Sequence, residues 1–264
     1  MPADRPRWSR PPRPPQPARS PRLARVARVA RWVALVAVTG LLGLALLGFL
    51  RDGPLRGLIG PDRPARSTDA VRLGPEPGQS VSAYLAGLPA RLPPPGGPEV
   101  PALVQFAESL DAPSVSRLVA GARLASAVFR VPLPRVQTAL RFQPLSPVDL
   151  PDPAAAEARR LALGQAAAAR EAESAARRLT GRSAEVARYE AGALDASAPC
   201  RCVLAVLVVG DRTALETVAA RPGVRAVDAA PADTPVTAVA LAPLLPEQTN
   251  TAAPVPDDGP VPGG

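Results

Sequence analysis

The sequence predicts an α+β fold held behind one N-terminal membrane span. Three observations predict it. Trp32 to Leu50 (WVALVAVTGLLGLALLGFL) is a run of 19 residues without a charge. Residues 102–131 and 203–228 each read as strand, short helix, strand. Between them, Pro153 to Ala196 is rich in Ala, Glu and Arg with almost no β-branched residue, a composition of high helix propensity.

The span comes first. At roughly 1.5 Å per residue a helix over residues 32–50 is about 28 Å long, close to the ~30 Å hydrocarbon core. Arg51-Asp52-Gly53-Pro54-Leu55 follows it without an A-x-A-like cleavage site, and the preceding stretch of 31 residues is long for a signal peptide. A retained signal-anchor is therefore expected. Nine Arg precede the span, whereas those after it are thinner and mixed with Asp52, Asp62 and Asp69. The positive-inside rule then places residues 1–31 in the cytoplasm and 51–264 outside, with Trp32 at the interface.

The same count decides how to read the net charge of +8. Residues 1–31 carry nine Arg against Asp4, which is +8; the remaining 22 Arg and 22 acids cancel. The excess is an N-terminal tail and not a basic domain, and no aromatic platform accompanies it, which argues against nucleic acid. Residues 1–21 are Pro/Arg-rich and expected to be disordered or polyproline II. Arg22, Arg25, Arg28 and Arg31 recur along one side of a juxtamembrane helix. They are expected to contact anionic lipid headgroups, each contributing about 1 kcal/mol. A Pro-rich ligand for a cytoplasmic partner is the alternative reading of this tail.

Beyond the membrane, residues 51–98 read as a Gly/Pro-rich linker with a short amphipathic helix at 80–92, where Val81, Tyr84, Leu85, Leu88 and Leu92 share a face. The extracytoplasmic α+β domain is expected over 99–230. Ala102–Ala107 is a strand, and Asp111-Ala112-Pro113 opens a helix whose apolar face is Val115, Leu118, Val119 and Ala122. Ser126–Val131 is a second strand. Val136, Thr138, Leu140 and Phe142 alternate with polar residues, so a half-buried strand forms a hairpin with it across Pro132-Leu133-Pro134. The long Ala-rich helix follows, with a break or kink expected near Thr180-Gly181 and a surface suited to self-association. Val203–Val209 is continuously apolar, as for a strand buried on both faces. Asp211 and Thr213 open another helix with Thr213…Glu216 as a capping box, Pro222-Gly223 ends it, and Val224–Asp228 is the last strand. Residues 231–264 read as a mobile Pro/Ala-rich tail, with Leu241 to Leu245 docking.

The element order is β-α-β-β-α-β-α-β. Its first six elements predict a small ferredoxin-like (split βαβ) sandwich, to which the last helix and strand add an extra αβ unit. The text LETVAARPGVRAV, residues 215–227, resembles what many ferredoxin-like domains carry, including pro-peptide and inhibitor domains of subtilisin-like proteases. That resemblance covers about one eighth of the chain and transfers no function. Over its whole length the chain resembles uncharacterised actinobacterial single-pass membrane proteins with an Arg-rich N-terminus and an Ala/Pro-rich extracytoplasmic domain. This resemblance rests on organisation and composition and implies no activity.

Little in the sequence points to catalysis. With no His and no Lys, the Ser-His-Asp, Cys-His and Ser-Lys arrangements are impossible. Carboxylate pairs remain, but beyond the span the only aromatics are Tyr84, Phe106, Phe129, Phe142 and Tyr189, too few for a sugar cleft. Cys200 and Cys202 are the two cysteines. They are one residue apart, which is not the C-x-x-C redox spacing, and with no His they lack the partners of a structural zinc. A local disulfide, an intermolecular disulfide in a homodimer, and free thiols in the core stay open. Strand positions i and i+2 are near the outer limit for a bridge unless the chain bends at Pro199. No cofactor and no metal is expected. The expected function is a membrane-anchored extracytoplasmic binding or scaffolding protein that meets an envelope protein or a second copy of itself. The alternatives are a single-pass signal transducer coupling the outer domain to the basic cytoplasmic tail, and a carboxylate-based envelope hydrolase.

Overall fold

Five strands, the central one continuously apolar, pair into one antiparallel sheet in a computed structural model that describes residues 70–195 and 200–262. The strands outside and inside this sheet are β1 (Val71–Leu73), β2 (Val100–Leu110), β3 (Arg123–Phe129), β4 (Arg141–Pro144), β5 (Val203–Gly210), β6 (Val224–Ala229) and β7 (Val239–Leu241). The helices are α1 (Val81–Gly87), continued by a 3-10 turn over Leu88–Arg91, α2 (Ala112–Leu118), α3 (Pro153–Arg178), α4 (Gly181–Ala193) and α5 (Arg212–Ala219). A mixed α+β architecture is thus observed. The expected span at 32–50, the Arg22–Arg31 cluster and the linker up to residue 69 lie outside the described residues. Among the described residues no helix is long and apolar enough to cross a membrane.

The main sheet runs β4-β3-β5-β2-β6, and every neighbouring pair is antiparallel. It follows that β2 and β3 are parallel with β5 between them, and that β5 and β6 are parallel with β2 between them. Two split βαβ units, β2-α2-β3 and β5-α5-β6, are therefore interlocked. This corrects the expectation that the first six consecutive elements build the pattern and that the last αβ unit is an addition. The last unit is one of the two halves, and β4 with α3 and α4 is the insertion. The reason is burial. All eight residues of β5 are buried, so this strand takes the centre, whereas β4 has four residues, ends in Pro144 and is suited only to an edge.

One face of the sheet is covered by helices. Val115 of α2 and Val119 just after it, Leu161 and Ala168 of α3 and Leu215 and Val218 of α5 pack with Val104, Phe106, Phe129 and Val206. Gly164 lets α3 approach: a Cβ there would lie 2.9 Å from a Leu145 methyl and 3.1 Å from the Phe129 ring. Arg160 secures the same contact by donating to the carbonyls of Leu124 (2.8 Å), Leu145 (2.7 Å) and Ser146 (3.0 Å). The long helix breaks where expected, as α3 ends before Leu179 and α4 begins at Gly181 with φ +56°. The expected capping box is corrected: Asp211, not Thr213, caps α5 by accepting from Ala214 N–H at 2.8 Å, and Glu216 pairs with Arg212 at 2.7 Å.

The opposite face is covered by the segments read as linker and mobile tail, a second correction. β1 and β7 form a parallel pair, Val71 beside Val239 and Leu73 beside Leu241. They bury Leu103, Val128, Leu204 and Leu207 of the main sheet together with Leu73. Leu244 is 1% exposed and packs with Val81, Tyr84 and Leu88 of the N-terminal strap, so the docking expected at Leu241–Leu245 is observed. Further on, residues 250–252 exchange backbone hydrogen bonds with Gly78, Gln79 and Val81. Asp257 accepts from Gln137 N–H, Asp258 pairs with Arg135, and Gly259 N–H donates to Arg135 O at 2.7 Å. The order here comes from side-chain and loop hydrogen bonds and not from long ladders, which is why a Pro-rich composition hid it.

Candidate functional site

Val136 and Thr138 are buried as the expected alternation has them, but the strand begins only at Arg141, and there the phase is reversed. Arg141 and Gln143 point beneath the helices and are buried, whereas Phe142 is 45% exposed on the opposite face. The cause is Glu190 of α4, itself 2% exposed, which ion-pairs with Arg141 and accepts from Ala139 N–H at 2.6 Å. A buried carboxylate needs such partners, and satisfying it turns Arg141 inward and Phe142 outward.

Phe142 consequently borders an open apolar groove of about 400 Å³. Leu207 of the central strand belongs to it, Ala125 and Pro144 come from the β3–β4 side, and Val236, Val239 and Leu241 come from the β7 side. Two hydroxyls, Ser126 and Thr237, complete the lining. The main sheet is wider than the two-stranded layer on this face, and the groove is the part of the face that β1 and β7 leave uncovered. Such a lining recognises apolar groups with few polar fixing points, and the volume falls in the range of ligand and side-chain sites, roughly 300–1,000 Å³.

The β4 edge beside the groove is a poor template for strand addition. Leu145 N–H donates to Ala125 O at 2.9 Å. By the alternation of antiparallel pairs, residues 143 and 141 then face β3, while 142 and 144 face outward. Pro144 has no N–H, so the Phe142 amide is the outward donor within the strand. Short edges carrying Pro resist edge-to-edge pairing, and recognition at the groove falls to side chains.

A buried polar cluster holds the straps that shape the groove's β7 wall. Asp228 of β6 is fully buried and accepts from Gly74 N–H (2.7 Å), the Tyr84 hydroxyl (2.9 Å) and Arg91 (2.8 Å). Gln105 donates to the Tyr84 oxygen and accepts from Leu244 N–H, both at 2.7 Å. Burial, and then the Asp228 charge, push the Tyr84 hydroxyl well above its ordinary pKa, so it acts as a donor. This carboxylate is thus fully occupied in tying strand to strap.

Of the predicted site residues, the structure brings Cys200 and Cys202 together in a disulfide with Cα atoms 5.3 Å apart. This is inside the roughly 4.4–6.8 Å range of bridged pairs. The pair fits because it precedes β5, where the chain is not yet extended. Cys202 is completely buried and Cys200 is half-buried. Closing a loop of three residues removes little chain entropy, about 1.6 kcal/mol against about 3 for fifteen residues. Arg22, Arg25, Arg28 and Arg31 lie outside the described residues. Among the described residues no group of three or more Cys, Asp or Glu is placed to hold a metal ion. The groove residues Phe142 and Val236 were not legible as a site, because Phe142 carries the alternation of a core position.

No family model, no curated protein and no solved structure matches this chain, so its reading rests on its own residues and geometry.

Proposed function

We propose that the chain is a membrane-anchored extracytoplasmic binding or scaffolding protein, and that the groove beside Phe142 is its contact surface for an envelope protein. The span at 32–50 anchors the chain, Arg22–Arg31 hold anionic headgroups on the cytoplasmic side, and a ferredoxin-like sheet presents the groove outside. One observation carries the reading: a Phe and a Val, 45% and 37% exposed, flank an apolar groove on a face otherwise sealed by its own straps. Contiguous exposed apolar surface on an otherwise covered face marks interaction sites. The lining favours an apolar side chain, such as Leu or Phe, offered by an extended segment of the partner.

The test is crosslinking in cells followed by purification of the full chain from native membranes, comparing wild type with Phe142→Asp. A partner recovered with wild type and at least tenfold reduced with the variant supports the reading. Equal recovery with both proteins, or recovery of no partner with either, contradicts it. An impermeant carboxylate label that fails to reach the folded unit in intact cells contradicts the extracytoplasmic placement.

A further inference from the structure

We propose that the Cys200–Cys202 bridge is a thiol–disulfide exchange site that oxidises accessible dithiols, independently of the groove. A structural bridge joins segments that would otherwise separate. This one joins residues i and i+2 at the start of a strand that its two neighbours already hold. Arg130 N–H donates to Cys202 O at 2.8 Å, and Val203 pairs with Leu110 of β2. The sheet therefore holds Cys202 without the bridge, which joins no distant segments, and its small ring leaves little loop entropy to protect it from opening.

The two cysteines stand in unequal surroundings. Cys202 is completely buried among core residues, whereas Cys200 is half-buried. An incoming thiolate reaches the accessible sulfur, and access decides which sulfur is attacked. Arg201 between them is exposed and pairs with Glu108 at 2.7 Å. The two charges cancel, so the site selects by reach and not by the charge of the thiol.

The reaction proceeds in two displacements. A thiolate of the dithiol attacks Cys200 Sγ, the S–S bond breaks, and Cys202 leaves as a thiolate that takes a proton from water. The second thiol of the dithiol, as its thiolate, then attacks its own sulfur in the mixed disulfide and expels Cys200, which is protonated in turn. The dithiol loses two electrons and two protons and becomes a disulfide. The protein gains both and holds two thiols.

The experiment uses the full-length protein in detergent micelles, with dithiothreitol as the dithiol probe. Acid-quenched samples are labelled with a maleimide and counted by mass. The expected rate of bridge opening is at least tenfold that of glutathione disulfide under the same conditions, with an unchanged circular dichroism spectrum. With reduced glutathione, and iodoacetamide to trap the released thiol, the adduct is expected on Cys200 in at least tenfold excess over Cys202. A rate at or below that of glutathione disulfide, opening only together with loss of the spectrum, or an adduct mainly on Cys202 would overturn the proposal.

Discussion

The Tyr84 hydroxyl donates to Asp228 at 2.9 Å across 144 residues of sequence, and both groups are buried. The bond joins α1, in the N-terminal strap, to β6, the outer strand of the main sheet. With Gly74, Arg91 and Gln105 it converts the second face of the sheet from open to covered. The position of β7, and so one wall of the groove, follows from this cluster.

Removing either partner is expected to cost stability unequally. Asp228→Ala leaves Gly74 N–H and the Tyr84 hydroxyl without an acceptor, at about 1–3 kcal/mol each. Arg91 is 44% exposed and regains water, so the total is about 2–6 kcal/mol. Tyr84→Phe keeps the ring and is expected to cost about 1–3 kcal/mol. Urea unfolding monitored by circular dichroism measures both; equal midpoints for the two variants would contradict this ranking.

The same cluster predicts an alkaline instability. The folded pKa of Tyr84 is raised above its unfolded value of about 10. Above that pH the unfolded chain loses the proton first, so it binds fewer protons than the native state and stability falls as pH rises. Below about pH 10 the contribution is constant. The slope approaches about 1.4 kcal/mol per pH unit, and Tyr84→Phe should remove it. Unfolding free energies between pH 8 and about 11 for the two proteins provide the comparison.

Gly74 is required twice over. Its φ is +119°, and a Cβ there would stand 1.9 Å from Ala242 O, the residue following β7. Gly78 has φ +78° with open space around it. Gly78→Ala is therefore expected to carry only the conformational cost, about 1–3 kcal/mol, whereas Gly74→Ala must also displace β7. A larger loss for Gly74→Ala, with faster amide exchange at residues 239–241, is the expected outcome; equal losses would show that the close approach is unimportant.

Replacing both cysteines by Ala, which buries no new polar group, should lower stability by about 1.6 kcal/mol through the chain entropy of a three-residue loop, with about 1 kcal/mol more for the packing lost at buried Cys202. The same urea titration reads it. A loss beyond about 4 kcal/mol would assign the bridge a structural role larger than its loop length supports.

Much of the architecture was legible because it rests on local signals. The uninterrupted apolar run Val203–Val209 announced the central strand, Asp111-Ala112-Pro113 a helix start, and Thr180-Gly181 the break between α3 and α4. The two strand-helix-strand texts were also read correctly, but their interlocking was not, because strand order depends on which strand tolerates burial on both faces. The straps escaped notice because β1 and β7 have three residues each and their neighbours are anchored by long-range side-chain bonds, such as Arg225 to the carbonyls of Leu245 and Gln248. The groove escaped for a related reason. Period two fixes which residues share a face, not which face is inward, and Glu190, 48 residues after Phe142, makes that choice.

The most direct measurement places a photo-crosslinking benzoyl-phenylalanine at position 142 of the full chain in living cells, with the exposed position 188 on α4 as control. One discrete adduct from position 142 to another envelope protein is expected, and none of that mass from position 188. No adduct at position 142, or the same adducts at both positions, would contradict the claim that the groove is where this protein binds.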